Sequence, residues 1–503
     1  MGSSDSAAGG SDSGGGSSWF ADYFGFGAHG TDLRTELLAG LTTFLTMSYI
    51  IVVNPAILSI VITPEALGVE PGMEFQLLAV TTIISSVAAM LVMAFYANRP
   101  FGLAPGMGLN AFFVAVVLTI PSVTWQVALA AVFVEGLLFI GLTLVGLREY
   151  VINLFPEPVK YGVGPGIGLF LALIGLQQMR IIAGDIGIVE VPTDAGNFVT
   201  LNPVLAQDAI AVVSIVGVFL TLVLYARGVK GSIVAGILGT SVISYVVAAL
   251  GVTADIGSLP VEGEGIKLAA ATSSLAPGVG DLSYSAADYD ITPLLGAFLD
   301  GFADVGALTF AMVMFTFFFV DFFDTAGTLV GLSNAADMTD ENGEVPEIEK
   351  PLLADAVGTT VGGIVGTSTV TTYIESSTGI EEGGRTGMTA LVVAALFLLA
   401  LVAIPLLSVI PSFAPYVAFV IVAVFMLRNV TDIDWQDNAS AVTGGLTILL
   451  MPLTTSIATG IAGGLLAYPL VSAAQGDFED VRLGHWALAG FVVVYYVVRT
   501  VYI

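Results

Sequence analysis

Two carboxylic acids interrupt the apolar run "TFFFVDFFDTAGTLVG" at residues 316–331. Asp321 and Asp324 are three residues apart, so on a helix they share one face. Like charges this close in a low dielectric tend to keep one carboxyl protonated, and the pair then titrates as a unit. The spacing therefore predicts a group that takes up and releases a proton where water is scarce.

Three further acids lie in apolar segments, namely Glu135 in "FVEGLLF", Asp355 in "LLADAVG" and Glu375 in "TYIESS". An acid at the centre of a bilayer costs on the order of 2.5–3.5 kcal/mol, so each one is a functional candidate. Glu375 falls near a predicted helix start, where the helix dipole favours the ionised form. Glu135 and Asp355 lie away from any irregular segment, and for them we favour hydrogen bonding between packed helices.

The composition places these acids in a membrane. Of 503 residues, 56% are hydrophobic and 11% are charged, a balance that would leave large apolar patches on a soluble protein. Fourteen segments approach the roughly 20 apolar residues that a spanning helix needs. They are 36–59, 75–96, 103–120, 126–147, 159–178, 206–226, 231–251, 306–332, 351–366, 369–381, 387–405, 412–428, 439–455 and 457–474. A further apolar stretch, 484–503, fits either a fifteenth span or a helix lying in the interface.

The distribution of basic residues predicts the orientation. With the N-terminus in the cytoplasm, ten basic residues at span ends face inward, as the retention of basic loops in the cytoplasm requires. They are Arg34, Arg99, Arg148, Lys160, Arg227, Lys230, Lys350, Arg385, Arg428 and Arg482. Only Arg180 and Lys267 then face outward, and Arg499 is unassigned. We expect a multi-pass protein of the plasma membrane.

The fourteen segments divide into two sets of seven at the long connection 252–304. An odd number in each half makes the halves enter the membrane in opposite directions, which is typical of an inverted-repeat transporter. In chain order, the predicted segments are a disordered tail at 1–30, a first repeat at 31–251, the extracellular connection 252–304, a second repeat at 305–475 and a C-terminal apolar helix at 476–503.

The third segment of each half is irregular. "RPFGLAPGMGLNAFF" (99–113) contains two prolines and three glycines, and "GGIVGTSTVTTYIESS" (362–377) begins with glycines and a Ser/Thr run. Such residues favour extended chain before a helix starts. Extended backbone at membrane depth persists only where protein buries it or where it lines a cavity. Matching interruptions in both halves therefore predict a central binding site. "TYIE" (372–375) also fits a capping box.

No Lys or Arg falls near the middle of a predicted span, which disfavours a phosphate or carboxylate substrate. Carboxylates, hydroxyls and helix N-termini suit a neutral planar molecule with N–H donors and a carbonyl group. Phe112, Phe322 and Phe323 are more often packing residues, although stacking on a ring is an alternative. With no cysteine and only His29 and His485, neither a metal nor a cofactor is expected.

The chain is strongly acidic, with 41 Asp and Glu against 13 Lys and Arg and a formal charge of −28. The charge has to lie mostly in loops and tails, and it disfavours nucleic acid as a partner. Together with the scarcity of lysine it is typical of a salt-adapted organism, here predicted to be a halophilic archaeon.

Four segments resemble one family. "GLTTFLTMSYIIVVNPAIL", "LAPGMGLNAFF", "VDFFDTAGTLVG" and "GTSTVTTYIESSTGIEEGGRTG" are similar, in this order, to the signature segments of purine nucleobase permeases. These carry hypoxanthine, guanine and adenine and form a branch of the nucleobase/ascorbate transporter group, beside the xanthine and uracil permeases. The resemblance covers residues from about 30 to 500.

The resemblance implies an all-α fold of fourteen spans in a 7+7 inverted repeat, with short strands in spans three and ten meeting at the substrate. It implies a core of spans one to four and eight to eleven, a gate of the remaining spans, proton symport and a homodimer. The positions that match family sites for substrate binding or coupling are Asn110, Asp321, Asp324 and Glu375, with Thr371 and Gly108 as neighbours. The uracil branch pairs an acid with a histidine in span eight, and span eight of this chain has no histidine.

The leading hypothesis is proton-driven import of a purine base with alternating access, in which the proton is exchanged at Asp321 or Asp324. Xanthine, uracil or another solute on the same fold is an alternative, as is sodium coupling. A channel would not need midplane acids, and an enzyme lacks a catalytic cluster.

Overall fold

The computed structural model describes most of the chain. The described residues are 19–120, 122–145, 155–183, 199–202, 205–252, 275–276, 285–303, 305–336, 338, 345–454, 456–477 and 481–502. Most of the predicted connection 252–304 and residues 1–18 of the predicted tail therefore lie outside the described part of the chain.

Helices dominate the described residues. In chain order they are α1 (Trp19–Phe24), α2 (Phe26–His29), α3 (Leu33–Met47), α4 (Ile50–Leu58), α5 (Pro64–Leu67), α6 (Met73–Val92), α7 (Met107–Thr119), α8 (Trp125–Leu144), α9 (Glu157–Gln178), α10 (Ala209–Ala226), α11 (Ser232–Ala249), α12 (Ala307–Ala335), α13 (Glu349–Val365), α14 (Ser376–Glu381), α15 (Gly387–Ala400), α16 (Val417–Met426), α17 (Asn438–Leu453), α18 (Ile457–Gln475) and α19 (Leu483–Tyr502).

Shorter elements complete the described chain. A π-helical turn, Met93–Ala97, extends α6, and 3₁₀ turns occur at Ala286–Tyr289, Ala297–Phe302, Leu401–Val409, Ala414–Tyr416 and Leu427–Asp432. The strands are β1 (Leu103–Pro105), β2 (Ile182–Ala183), β3 (Thr200–Leu201) and β4 (Val370–Thr372). They form two separate antiparallel pairs, β1 with β4 and β2 with β3.

The prediction of a mostly helical polytopic membrane protein is confirmed. Among the described residues, nine helical segments are long and apolar enough to cross a membrane. Each of the fourteen predicted segments overlaps helical residues, and in two of them, 103–120 and 369–381, a strand precedes the helix. The segment of β4 and α14 is one of these two, and its helix has only 6 residues. It therefore reaches only part of the way across a bilayer.

The helices pack in two groups. In the first, α13 packs against α8 and α6, and α15 packs against α3. In the second, α9 packs against α16, α17 and α18, and α10 packs against α11. Contacts between the groups include α9 with α7 and with α12. The two groups therefore meet beside β1 and β4.

Residues 19–30 differ from the predicted disordered tail. They form α1 and α2, in which Phe24 is completely buried and Phe26 is 4% exposed. Both rings pack with Met388 at the start of α15. Burial of these aromatic side chains offsets the entropy cost of ordering the segment, a gain that the composition of the first 18 residues does not offer.

Glycines set the closest helix contacts in the first group. A Cβ atom on Gly136 of α8 would lie 2.6 Å from the backbone nitrogen of Thr360 in α13. On the other side of the same crossing, a Cβ atom on Gly363 would lie 2.8 Å from the backbone nitrogen of Phe133. The two backbones are thus in near contact, as small residues permit between membrane helices.

We expect Gly136→Ala to destabilise the protein although alanine is the better helix former by about 1 kcal/mol. The added methyl group meets backbone atoms that cannot rotate away, and overpacking of this kind costs roughly 1–3 kcal/mol. The matched control is Gly141→Ala on the same helix, where an added Cβ meets nothing within 4 Å. Thermal unfolding of detergent-purified protein, followed by size exclusion, measures both. Equal melting temperatures for the two variants would contradict the proposed contact.

Candidate substrate site

The two interrupted segments meet as a strand pair. Leu103 lies opposite Thr372, and Pro105 lies opposite Val370. The pairing extends at both ends, because Tyr373 N donates to Gly102 O at 2.9 Å and Gly106 N donates to Thr369 O at 3.0 Å. The extended chain predicted from the Gly and Pro residues is present in both segments. Each strand satisfies the backbone groups of the other where no water is available.

The Ser/Thr run before β4 is anchored by amide side chains of two other helices. Asn54 Nδ2 in α4 donates to Thr367 Oγ1 at 2.8 Å. Ser368 Oγ donates to Asn110 Oδ1 in the second turn of α7. All four side chains are completely buried. The hydroxyls that the sequence places in this run thus join the run to neighbouring helices.

Three more helices hold β4 and the residue before it. Thr369 Oγ1 donates to Glu135 Oε2 of α8 at 3.2 Å, and Thr359 Oγ1 of α13 donates to Val370 O at 3.0 Å. Thr371 Oγ1 lies 2.9 Å from Thr325 Oγ1 of α12. Side chains of α8, α12 and α13 therefore fix this segment.

A cavity of about 100 Å³ lies beside the ends of the two strands. Its walls come from the chain entering α7, from α12, from the chain between β4 and α14, and from α16. The lining residues are Gly106, Met107, Gly108, Thr328, Thr371, Thr372, Tyr373, Ile374, Glu375, Val422, Phe425 and Met426. The first three wall segments belong to the first helix group and α16 belongs to the second, so the cavity lies between the groups.

Glu375 is the only acid that lines this cavity among the described residues. It occupies the N-cap position of α14, and its side chain makes no capping bond, so the capping box suggested by "TYIE" does not form. Instead, Tyr49 OH, at the start of α4, donates to Glu375 Oε1 at 2.6 Å. Tyr49 is completely buried, so this bond fixes the carboxylate at the cavity wall.

The entrance to α7 offers donors to the same cavity. The first backbone N–H groups of a helix have no partner within the helix, and Met107 and Gly108 are the first two residues of α7. A Cβ atom on Gly108 would lie 3.0 Å from Ile167 in α9. Glycine therefore allows α7 to approach the second helix group at the cavity. Carboxylate and N–H groups together can bind a neutral molecule that carries both donors and acceptors.

Asp321 lies behind the strand pair in a buried polar network. Thr325 Oγ1 is 3.1 Å from Asp321 Oδ1, 2.9 Å from Asp355 Oδ2 and 2.9 Å from Thr371 Oγ1. The Glu135 carboxyl lies beside that of Asp321. The three acids come from α8, α12 and α13, all are completely buried, and two of them, Asp321 and Asp355, contact Thr325. Glu135 and Asp355, which the sequence assigns to helix packing, belong to the same network as Asp321.

The structure separates the predicted site residues into two sets. Gly108, Thr371 and Glu375 line the cavity, whereas Asn110 and Asp321 lie in the buried layer behind it. Asp324 lies on α12, and its side chain is outside the described part of the structure.

The aromatic residues behave as the packing interpretation predicts. The ring centroid of Phe112 lies 4.6 Å from that of Phe317, and the ring of Phe322 packs with those of Phe139 and Phe318 at 6.0 and 5.8 Å. The side chain of Phe323 is outside the described part of the structure. The aromatic residues at the cavity are Tyr373 and Phe425, neither of which the sequence singles out. Tyr49 is likewise missed, because a tyrosine in an apolar helix carries no signal of its own.

Comparison with known proteins agrees with this geometry. Residues 34–463 match the permease family whose profile is named for xanthine and uracil permeases. The chain is 42% identical to a putative permease of Methanocaldococcus jannaschii, over 96% of this chain and 98% of that protein. It is 37% identical to the guanine/hypoxanthine permease PbuO of Bacillus subtilis, over 90% and 94%. It is 33% identical to the adenine permease AdeP of Escherichia coli, over 90% of each chain.

A solved structure shows the same fold at lower identity. The transmembrane domain of the cyanobacterial bicarbonate transporter BicA superposes with a TM-score of 0.54 at 17% identity, covering 86% of this chain and 97% of that domain. The family match and the relatives together cover most of the chain. The protein therefore belongs to the xanthine/uracil permease family, with guanine/hypoxanthine and adenine permeases among its relatives, and it is a transporter and not an enzyme.

Proposed function

We propose that the protein imports purine nucleobases, namely hypoxanthine, guanine and adenine, by proton symport. The observation that carries this proposal is the cavity at the strand ends, where the Glu375 carboxylate faces the N-terminus of α7. A purine presents N–H groups on one edge and nitrogen or carbonyl acceptors on another. The relatives named as guanine/hypoxanthine and adenine permeases support this substrate class.

In the proposed binding mode, Glu375 accepts adjacent N–H groups of the base, and Tyr49 holds it in place. The N–H groups of Met107 and Gly108 donate to an acceptor on the opposite edge. Phe425 and Tyr373 supply aromatic faces against which a planar ring packs. Asp324 precedes Thr328 of the cavity wall by one helical turn and is the second proposed binding acid.

The proposed proton site is the network around Thr325. A hydroxyl donates one hydrogen and accepts up to two. Thr325 Oγ1 has three hydrogen-bonding neighbours, the carboxyls of Asp321 and Asp355 and the hydroxyl of Thr371. It donates its one hydrogen to one of them, so the other two have to donate to it, and at least one of these two is a protonated acid. The Glu135 carboxyl lies beside that of Asp321, and a hydrogen bond between the two would require a proton on one of them. Both counts favour a retained proton at Asp321 or its neighbours. Asp324 stays a candidate for the same role.

We further propose the arrangement that the sequence predicts for the whole protein. Fourteen spans form a 7+7 inverted repeat, with the N-terminus in the cytoplasm and the protein in the plasma membrane as a homodimer. The cavity between the two helix groups then opens alternately to each side as the groups move. The acidic composition supports function at high salt, as in a halophilic archaeon.

Xanthine, uracil or another solute, and sodium in place of the proton, are the alternatives. Reconstitution in high salt with labelled hypoxanthine, guanine, adenine, xanthine and uracil, under separate proton and sodium gradients, distinguishes them. We expect an inward proton gradient to drive saturable accumulation of a purine. Accumulation of none of the three purines contradicts the proposed substrate, and dependence on sodium alone contradicts the proposed coupling.

For binding, we expect Glu375→Gln to weaken purine affinity roughly ten- to hundredfold, because a hydrogen bond to a charged group contributes about 1.5–3 kcal/mol. Tyr49→Phe keeps the Glu375 carboxylate but removes the hydroxyl that orients it, so we expect a several-fold rise in KM. The matched control is Tyr416→Phe, which removes a buried hydroxyl that donates to Ala56 O at 2.8 Å. KM values from initial uptake rates test this. An unchanged KM in Tyr49→Phe, or an equal rise in Tyr416→Phe, would refute the positioning role.

For coupling, we expect Asp321→Asn and Asp355→Asn to bind purine and exchange it across the membrane without gradient-driven accumulation. Neutral amides keep the hydrogen-bonding shape but cannot release a proton. Asp324→Asn in the same assay tests whether Asp324 is the proton site instead.

The control for the coupling experiment is Glu36→Gln. Glu36 is also buried, but its carboxylate accepts the backbone N–H groups of Arg385 and Thr389 at 2.9 and 3.1 Å. We expect that variant to lose thermal stability and to remain coupled. Normal accumulation by both Asp321→Asn and Asp355→Asn would exclude the network as the proton site. Equilibrium binding and counterflow measurements separate these outcomes from loss of the substrate site.

A further inference from the structure

The C-terminal helix α19 extends beyond the family match, which ends at residue 463. It contains 20 residues, Leu483–Tyr502. At 1.5 Å per residue this length is about 30 Å, the thickness of a bilayer's hydrocarbon core. The length therefore suits either a membrane crossing or a long helix on the membrane surface, and its contacts decide between them.

Contacts between α19 and α18 run in opposite directions along the two helices. Near the start of α19, the ring of His485 lies 5.1 Å from that of Tyr468. Farther along, Val492 shares a cavity wall with Ile461. Next, Tyr496 OH donates to Thr459 Oγ1 at 3.1 Å. As residue numbers rise in α19 they fall in α18, so the helices are antiparallel.

The partner helix fixes the direction of α19. Helix α18 is one of the segments long and apolar enough to cross a membrane. A helix that stays antiparallel to it from Tyr468 to Thr459 advances through the membrane by the same depth. A helix lying flat in the interface would instead cross α18 near a single level.

The outer surface of α19 is apolar. Val493, Val494 and Val497 are 50%, 60% and 52% exposed. The basic side chains of α19 are His485 and Arg499, and each lies close to an end of the helix. An interfacial helix turns a strongly polar face to water, whereas the exposed side chains of α19 are apolar, as they are on a helix surrounded by lipid.

Helix α19 also contacts α12. The ring of Phe491 lies 5.1 Å from that of Phe315, and Met312 and Phe315 line the cavity of about 50 Å³ that α19 closes against α18. Helix α12 belongs to the first helix group and α18 to the second. Helix α19 therefore covers the outer edge of the boundary between the two groups.

From these contacts we infer that α19 is an additional membrane-spanning helix, antiparallel to α18 and packed against both α12 and α18. The end of α19 then lies on the side of the membrane opposite residues 476–482. This inference concerns only the last loop and helix, so it does not depend on the substrate or on the number of preceding spans.

The chain contains no cysteine, so single cysteines report topology without a background. We would compare Gly476→Cys, in the turn after α18, with a cysteine appended after Ile503. Intact cells are treated with a membrane-impermeant maleimide, before and after permeabilisation. We expect one of the two cysteines to be labelled in intact cells and the other only after permeabilisation. Labelling of both under the same condition overturns the inference.

Two further variants test the depth and the packing. Val494→Cys is exposed on the protein surface but should resist the aqueous maleimide in the membrane and react after denaturation in SDS. The pair Thr459→Cys and Tyr496→Cys should cross-link in membranes. The matched pair Thr459→Cys and Val494→Cys, with one residue on the outer face of α19, should not. Ready labelling of Val494→Cys in membranes, or cross-linking of the control pair alone, contradicts a packed spanning helix.

Discussion

The constraint on which the rest of this structure depends is that extended backbone at the centre of a membrane protein must find partners without water. Strands β1 and β4 supply most of them to each other. Side chains satisfy others, since Thr359 Oγ1 donates to Val370 O and Ser376 Oγ accepts from Gly102 N. Side-chain contacts from α4, α7, α8 and α12 hold the same segment in place, and the short helices α7 and α14 start where the candidate cavity lies. The irregular chain and the binding site are two aspects of one arrangement.

Buried acids in this protein differ according to what contacts them. Glu36 accepts backbone N–H groups at the start of α15 and so joins α3 to α15. Glu375 accepts the Tyr49 hydroxyl and borders the cavity. Asp321 and Asp355 contact hydroxyls and other acids, an environment in which a proton is needed to complete the hydrogen bonds. Partner chemistry thus distinguishes these acids from one another.

Several of these features can be predicted from the sequence, because each leaves a local pattern. Prolines and glycines before Asn110 and before Glu375 indicate the extended chain, and acids in apolar runs indicate Asp321. Contacts between distant segments leave no such pattern. Glu135 and Asp355 each stand alone in an ordinary apolar helix, and only the folded arrangement brings Glu135 to Thr369 and Asp355 to Thr325. Tyr49 is separated from Glu375 by 326 residues, and its hydroxyl gains significance only in the folded chain.

The position of Thr325 has a thermodynamic consequence. Its hydroxyl contacts the acids on one side and Thr371 of the cavity wall on the other, so the same oxygen belongs to both environments. If protonation of an acid reorients this hydroxyl and thereby alters the strand that borders the base, the two binding equilibria are linked. Linkage is reciprocal, so any factor by which protonation tightens base binding is the factor by which the base tightens proton binding. In the proposed symport, coupling then needs only an exchange of hydrogen bonds at a single side chain, with a small displacement at the site itself.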